Sequence, residues 1–179
     1  MLFSKQLVVI LLFIAVNIIA NSSLKVSGSL GYGNLSGNIP DISVFSFAGA
    51  VQFPSVVFAD TDIKAEVMWA KTYKYFFPSG TIKHHSYIAS LAISGVIKQQ
   101  LDENLFLEES AGYLLLYDKT YEFESSYNSG INFCAAIGIN TDKKNPQSNS
   151  LLLGFNYGLT FTNNNTSFFV TYLQYKISL

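Results

Sequence analysis

Apolar and polar residues alternate with a period of two along most of this chain, most clearly near its C-terminus. In LLLGFNYGLTFT, Leu151, Leu153, Phe155, Tyr157, Leu159 and Phe161 fall on one side, and Leu152, Gly154, Asn156, Gly158, Thr160 and Thr162 on the other. Ile131, Phe133, Ala135, Ile137 and Ile139 oppose Asn132, Cys134, Ala136, Gly138 and Asn140 in the same way. A period of two sends successive side chains to opposite faces of a β-strand. The pattern predicts strands near 24–33, 43–53, 62–76, 84–98, 104–117, 125–140, 150–162 and 167–179. Between them, GNLSGNIPD, FPSG, KQQLDEN and TDKKNPQSNS carry the Gly, Pro and Asn residues that break strands. No segment of helical period competes. Eight antiparallel strands, an even number, close into an up-and-down barrel, so the predicted fold is an all-β, eight-stranded barrel.

The direction of the faces decides what surrounds the barrel. A soluble lipocalin-like barrel turns its apolar set inward and presents Lys, Glu and Asp outside. Here the set opposite the aliphatics and aromatics is mostly Gly, Ser, Thr, Asn and Ala, as in Ser86, Ser90 and Ser94. Small polar residues suit the narrow interior of eight strands, and large apolar ones suit a lipid-facing belt. Tyr73, Tyr75, Tyr113, Tyr117 and Tyr157 are candidates for its interfacial girdles. Lys71 and Glu109 fall on the lipid face, and each must lie near an interface or follow a bulge that shifts the register.

Composition points the same way. Charged residues make up 13% of the chain, against about a quarter in ordinary soluble domains, while 49% are hydrophobic. No apolar stretch reaches the length of a membrane-spanning helix. The remaining alternative is a secreted soluble barrel that binds a small apolar ligand. All 11 basic residues are lysines, so the planar guanidinium that reads phosphate and guanine edges is missing, and a net charge of −1 also disfavours nucleic acid. Cys134 is the single cysteine and reads as a small buried residue. Neither a metal nor a cofactor is implied, because no His, Cys and carboxylate cluster and no phosphate-cradling glycine loop occurs. At the N-terminus, Lys5, an apolar run from Leu7 and small or polar residues after Ala20 describe an export signal over residues 1–20, leaving 21–179 as the barrel.

The order of HHSYIASLAI, LFLEESAGYLLLY, NSGINFCAAIGIN, LLLGFNYGLTFTN and a last strand ending YKISL resembles the bacterial lipid A 3-O-deacylases of the PagL type, over residues 80–179 and more loosely upstream. The resemblance implies a bacterial outer-membrane barrel that removes the 3-linked acyl chain of lipid A, with that lipid as its membrane partner. It also implies a serine nucleophile, a histidine two residues before it as base, and a glutamate on the last strand orienting the histidine. Aligned on the family's asparagine, Thr160 stands in the place of the histidine, Thr162 in that of the serine, and Asn163 matches. Aligned on Gly154, those two places fall to Leu159 and Phe161. Neither alignment supplies a histidine, and residues 167–179 contain no acid.

Two functions follow. In the first, the chain is a catalytically degenerate barrel with a structural, lipid A-contacting or surface-interaction role, and TFTN is the remnant of a catalytic strand end. In the second, it is an active esterase with a rearranged site, using Thr162 or Ser86 as nucleophile and His84 or His85 as base. His84 and Ser86 have the His-x-Ser spacing, although a polar strand entrance is the simpler reading of them. Glu108 is expected in an interior network with Lys64, Lys98 or Lys176, and Glu122 and Glu124 on a solvated rim. Eight strands leave no room for a wide aqueous pore.

Overall fold

The computed structural model describes residues 24–36, 41–55, 60–76, 86–120, 125–141, 149–162 and 165–179. The expected export signal lies outside them. The strands are β1 (Lys25–Ser36), β2 (Ile42–Pro54), β3 (Thr61–Thr72), β4 (Tyr87–Gln100), β5 (Leu105–Lys119), β6 (Ser126–Asn140), β7 (Ser150–Thr160) and β8 (Ser167–Ser178). Each pairs antiparallel with the next, and β8 pairs with β1, closing the barrel. The Leu179 amide donates to the Leu24 carbonyl, tying both chain ends to one rim. We call this the terminal rim and the opposite one the loop rim.

The register fixes the shape. Followed from Lys25 through Gln52, Lys64, Ser94, Gly112, Asn132, Gly158 and Phe168, the pairing returns to β1 at Leu35, 10 residues further along. A stagger of that size tilts the strands by about 40° and leaves an interior that side chains fill. Small residues let the packed chains approach. A Cβ on Gly33 would sit 1.9 Å from the Phe169 carbonyl oxygen, and one on Gly130 equally close to that of Leu159.

The outside is an apolar belt. Leu30, Val67, Ile93, Ile137, Leu153 and Leu173 all face outward with half or more of their surface exposed. Such a band on a closed barrel is lipid-facing, since no water is needed to satisfy the backbone within it. Aromatic residues gather toward the loop rim, where the rings of Tyr87, Tyr117 and Tyr127 meet in turn at tilted angles, and Phe45, Phe47, Trp69 and Phe76 form a second group. Lys71, one residue from the end of β3, lies 3.3 Å over the Tyr75 ring and keeps an unbroken register with Phe45 and Tyr87, so it is an interfacial lysine and no bulge is needed. Tyr113, expected in a girdle, instead lies near the middle of β5 among lipid-facing apolar residues. β3 also ends earlier than expected. Its alternation runs on into Tyr73–Tyr75, but these residues turn as a 3-10 helix at the interface.

Small polar residues line much of the interior as expected, Ser46, Ser90, Ser94, Asn128, Asn132 and Asn156 among them, but larger side chains fill it as well. Leu35, Val44, Met68, Ile88, Leu114, Leu116, Phe168 and Val170 form a buried apolar plug in the half nearer the loop rim. Toward the terminal rim an ionic group lies beside a smaller apolar cluster of Phe106, Ala136 and Leu152. Lys64 pairs with Glu66 at 3.2 Å, Lys25 with Asp62 at 2.8 Å, and Lys176 with Glu108. Gln52 links two of these pairs, accepting from Lys176 at 2.8 Å and donating to Asp62 at 2.7 Å. Glu108 thus has the interior lysine partner expected of it. Cys134 is buried, but beside the Lys64 ammonium and Asn132 rather than in an apolar core. Ion pairs this deep in the wall persist only when they are mutually hydrogen-bonded, as these are.

Candidate functional site at the loop rim

Above the plug, strand ends bring several hydroxyls and one carboxylate together. Glu108, Ser110, Gly112, Leu114, Leu116 and Asp118 share the inward face of β5, so the strand that supplies plug residues delivers a carboxylate to the mouth. Asp118 is only 3% exposed. One of its oxygens accepts the Thr120 amide at 2.8 Å, and the other accepts the Thr166 hydroxyl at 2.5 Å. The Thr160 amide and hydroxyl both donate to the Thr166 carbonyl, at 3.0 and 2.8 Å. The Ser86 hydroxyl donates to the Thr120 carbonyl at 3.0 Å, and its own carbonyl accepts the Thr72 amide. Asn165 enters this linkage with φ 47°, a left-handed conformation that asparagine tolerates.

The residues singled out in the sequence divide sharply. Thr160 is buried at the end of β7, and Ser86 is buried just before β4. Both therefore meet in one web with Asp118, Thr120 and Thr166. Thr162 stands apart: it is exposed, and its hydroxyl oxygen accepts the Ser129 amide at 2.9 Å, extending the β6–β7 pairing past Thr160. Asn163, His84, His85, Glu122 and Glu124 lie outside the described residues. Asp118, Thr120 and Thr166 were missed in the sequence, where the strand was expected to end at residue 117; β5 runs on to Lys119 and carries Asp118 onto the inward face of Glu108.

The described hydrogen bonds of this web tie strand ends together. A serine or threonine becomes a nucleophile when a base accepts its proton. The Thr160 and Ser86 hydroxyls give their protons to backbone carbonyls, and both carboxylate oxygens of Asp118 are occupied. The arrangement closes strand ends over the plug. Among the described residues, no group of three His, Cys, Asp or Glu side chains is placed to hold a metal ion.

Beside the web lies a surface hollow of about 410 Å³ between the start of β2 and the end of β3, bordered by Asp41, Ser43, Lys74 and Ser86. Lys71, Lys74 and Lys119 stand on the same rim among the tyrosines.

No protein-family model and no curated protein matches the chain. Solved structures do. Neisserial surface protein A (NspA) superposes with a TM-score of 0.69 at 11% identity, over 87% of this chain and 97% of that one. Ail, the attachment invasion locus protein of Yersinia pestis, solved in complex with the heparin analogue sucrose octasulfate, gives 0.58 at 9% identity, over 88% and 99%. The N-terminal β-barrel domain of Pseudomonas aeruginosa OprF gives 0.51 at 7% identity, over 89% and 100%. At such identities the likeness is one of fold, the eight-stranded outer-membrane barrel. Together with the apolar belt of this chain, it places the protein in the bacterial outer membrane.

Proposed function

We propose that the protein is a non-hydrolytic surface barrel related in design to the lipid A 3-O-deacylases, holding its loop rim against outer-leaflet lipid, lipid A included. The observation that carries this reading is the state of the hydroxyls at the family-equivalent positions. Thr160 donates to the Thr166 carbonyl, Thr162 accepts the Ser129 amide, and β8 offers no acid to orient a base. Lipid contact is supported by the rim itself, where Lys71, Lys74 and Lys119 alternate with tyrosines at the height of headgroup phosphates. The sulfated ligand of Ail suggests a polyanion, but among the described residues of the loop rim Asp41 and Asp118 stand with Lys71, Lys74 and Lys119, so the charge there is mixed.

One observation favours the second reading, an esterase with a rearranged site. Ser86 follows His84 and His85 directly and belongs to the same buried web as Asp118. The test is to incubate the purified, folded barrel with lipid A in detergent and measure released 3-hydroxy fatty acid. The proposal expects none above a no-protein control. Release that disappears in the His84→Ala, His85→Ala double variant would replace it with the esterase.

A further inference from the structure

On the lipid face toward the terminal rim, the wall of the barrel is hollowed. Gly95, Ala111 and Ala135, on three adjacent strands, leave a groove of about 370 Å³ between the larger Ile97, Phe133 and Phe155. Its lining is mostly apolar, with Thr61 and Ser110 as neutral polar members and Glu109 as the charged one. Glu109 pairs in register with Ile97 and Ala135, so its nearest outward neighbours are uncharged. Among the described residues, no lysine forms an ion pair with it. It is four residues from Leu105 at the end of β5, which at ~3.4 Å per residue and a tilt of about 40° sets it about 10 Å inside the terminal rim. An anionic group on a lipid-facing wall is unfavourable unless a cation or a strong donor meets it there.

We propose that this groove binds one acyl chain of an aminophospholipid whose primary ammonium pairs with Glu109. The volume falls within the range of small-molecule sites, and the charge is of the sign that an ammonium headgroup requires. A second copy of the chain fits less well. A two-fold contact through this face brings the two Glu109 carboxylates toward each other, where like charges repel. The hollow is also open to filling: a Cβ on Gly95 meets nothing closer than the Thr61 methyl at 3.8 Å.

The test uses the full chain in nanodiscs of phosphatidylethanolamine, phosphatidylcholine and phosphatidylglycerol in equal amounts with identical acyl chains. Lipids retained on release are counted by native mass spectrometry. Phosphatidylethanolamine is expected to be retained about tenfold over phosphatidylcholine, whose quaternary ammonium has no N–H to donate. Glu109→Gln is expected to abolish that preference, and Gly95→Leu to lower retention of all three lipids. Ala111→Leu serves as a second filling variant, and heat-dependent gel mobility reports that each variant is folded. Equal retention of the three lipids by the unaltered chain, a preference that survives Glu109→Gln, or dimers in place of lipid adducts would overturn the proposal.

Discussion

At Asp118 a buried carboxylate accepts one hydrogen bond from the next-but-one backbone amide and one from a side chain 48 residues away. The first bond is local and the second crosses between strands, so a single residue ties the end of β5 to the entrance of β8. Thr166→Val leaves a buried carboxylate oxygen without its donor, and about 1–3 kcal/mol of stability is expected to be lost. Urea unfolding of the folded barrel in lipid vesicles measures it, and Thr166→Ser, which keeps the hydroxyl, is expected to retain most of that stability. Gly33→Ala, with its Cβ 1.9 Å from a backbone oxygen, is expected to destabilise by about 1–3 kcal/mol in the same assay or to fail to fold. The Asp118 web was not read from the sequence. The expected strand stopped at residue 117, one short of Asp118, and nothing local announces that Thr166 will meet it, because that contact depends on the barrel's stagger.

At the scale of elements, the strands were legible wherever one face is apolar and the other small and polar, as in β6 and β7. The contents of the interior were harder to read where both faces are apolar, although the strand itself was found there. In the run Leu114, Leu115, Leu116, alternate members face lipid and plug, so the run carries no period of two and gave no sign of the apolar plug. The end of β3 was overextended for a related reason, since Tyr73 and Tyr75 continue the alternation while belonging to the interface. The ionic half invites a paired test. β5 and β8 face each other across the interior through Glu108 and Lys176. Lys176→Met alone strands a buried carboxylate and is expected to cost about 3–5 kcal/mol. Adding Glu108→Leu removes the stranded charge and is expected to restore much of the loss, a sign reversal that a double-mutant cycle in urea detects.

At the scale of the whole molecule, the stagger of 10 residues over eight strands leaves an interior narrow enough for side chains to occupy. The ionic cluster and the smaller group of Phe106, Ala136 and Leu152 occupy the terminal half, the apolar plug the loop half, and the Asp118 web covers the plug. Eight strands give no wide aqueous path, so the protein inserted into a planar lipid bilayer is expected to show no stepwise conductance. The surfaces proposed to work are outside: the groove beside Glu109 and the loop rim. What the rim does to lipid is the central claim, and the most direct test is mass spectrometry of lipid A from a Gram-negative host expressing the full chain, with the folded barrel recovered in its outer membrane. The account predicts a lipid A spectrum identical to that of cells without the protein. Loss of one 3-linked hydroxyacyl chain would contradict it and place a working hydrolytic site at the loop rim.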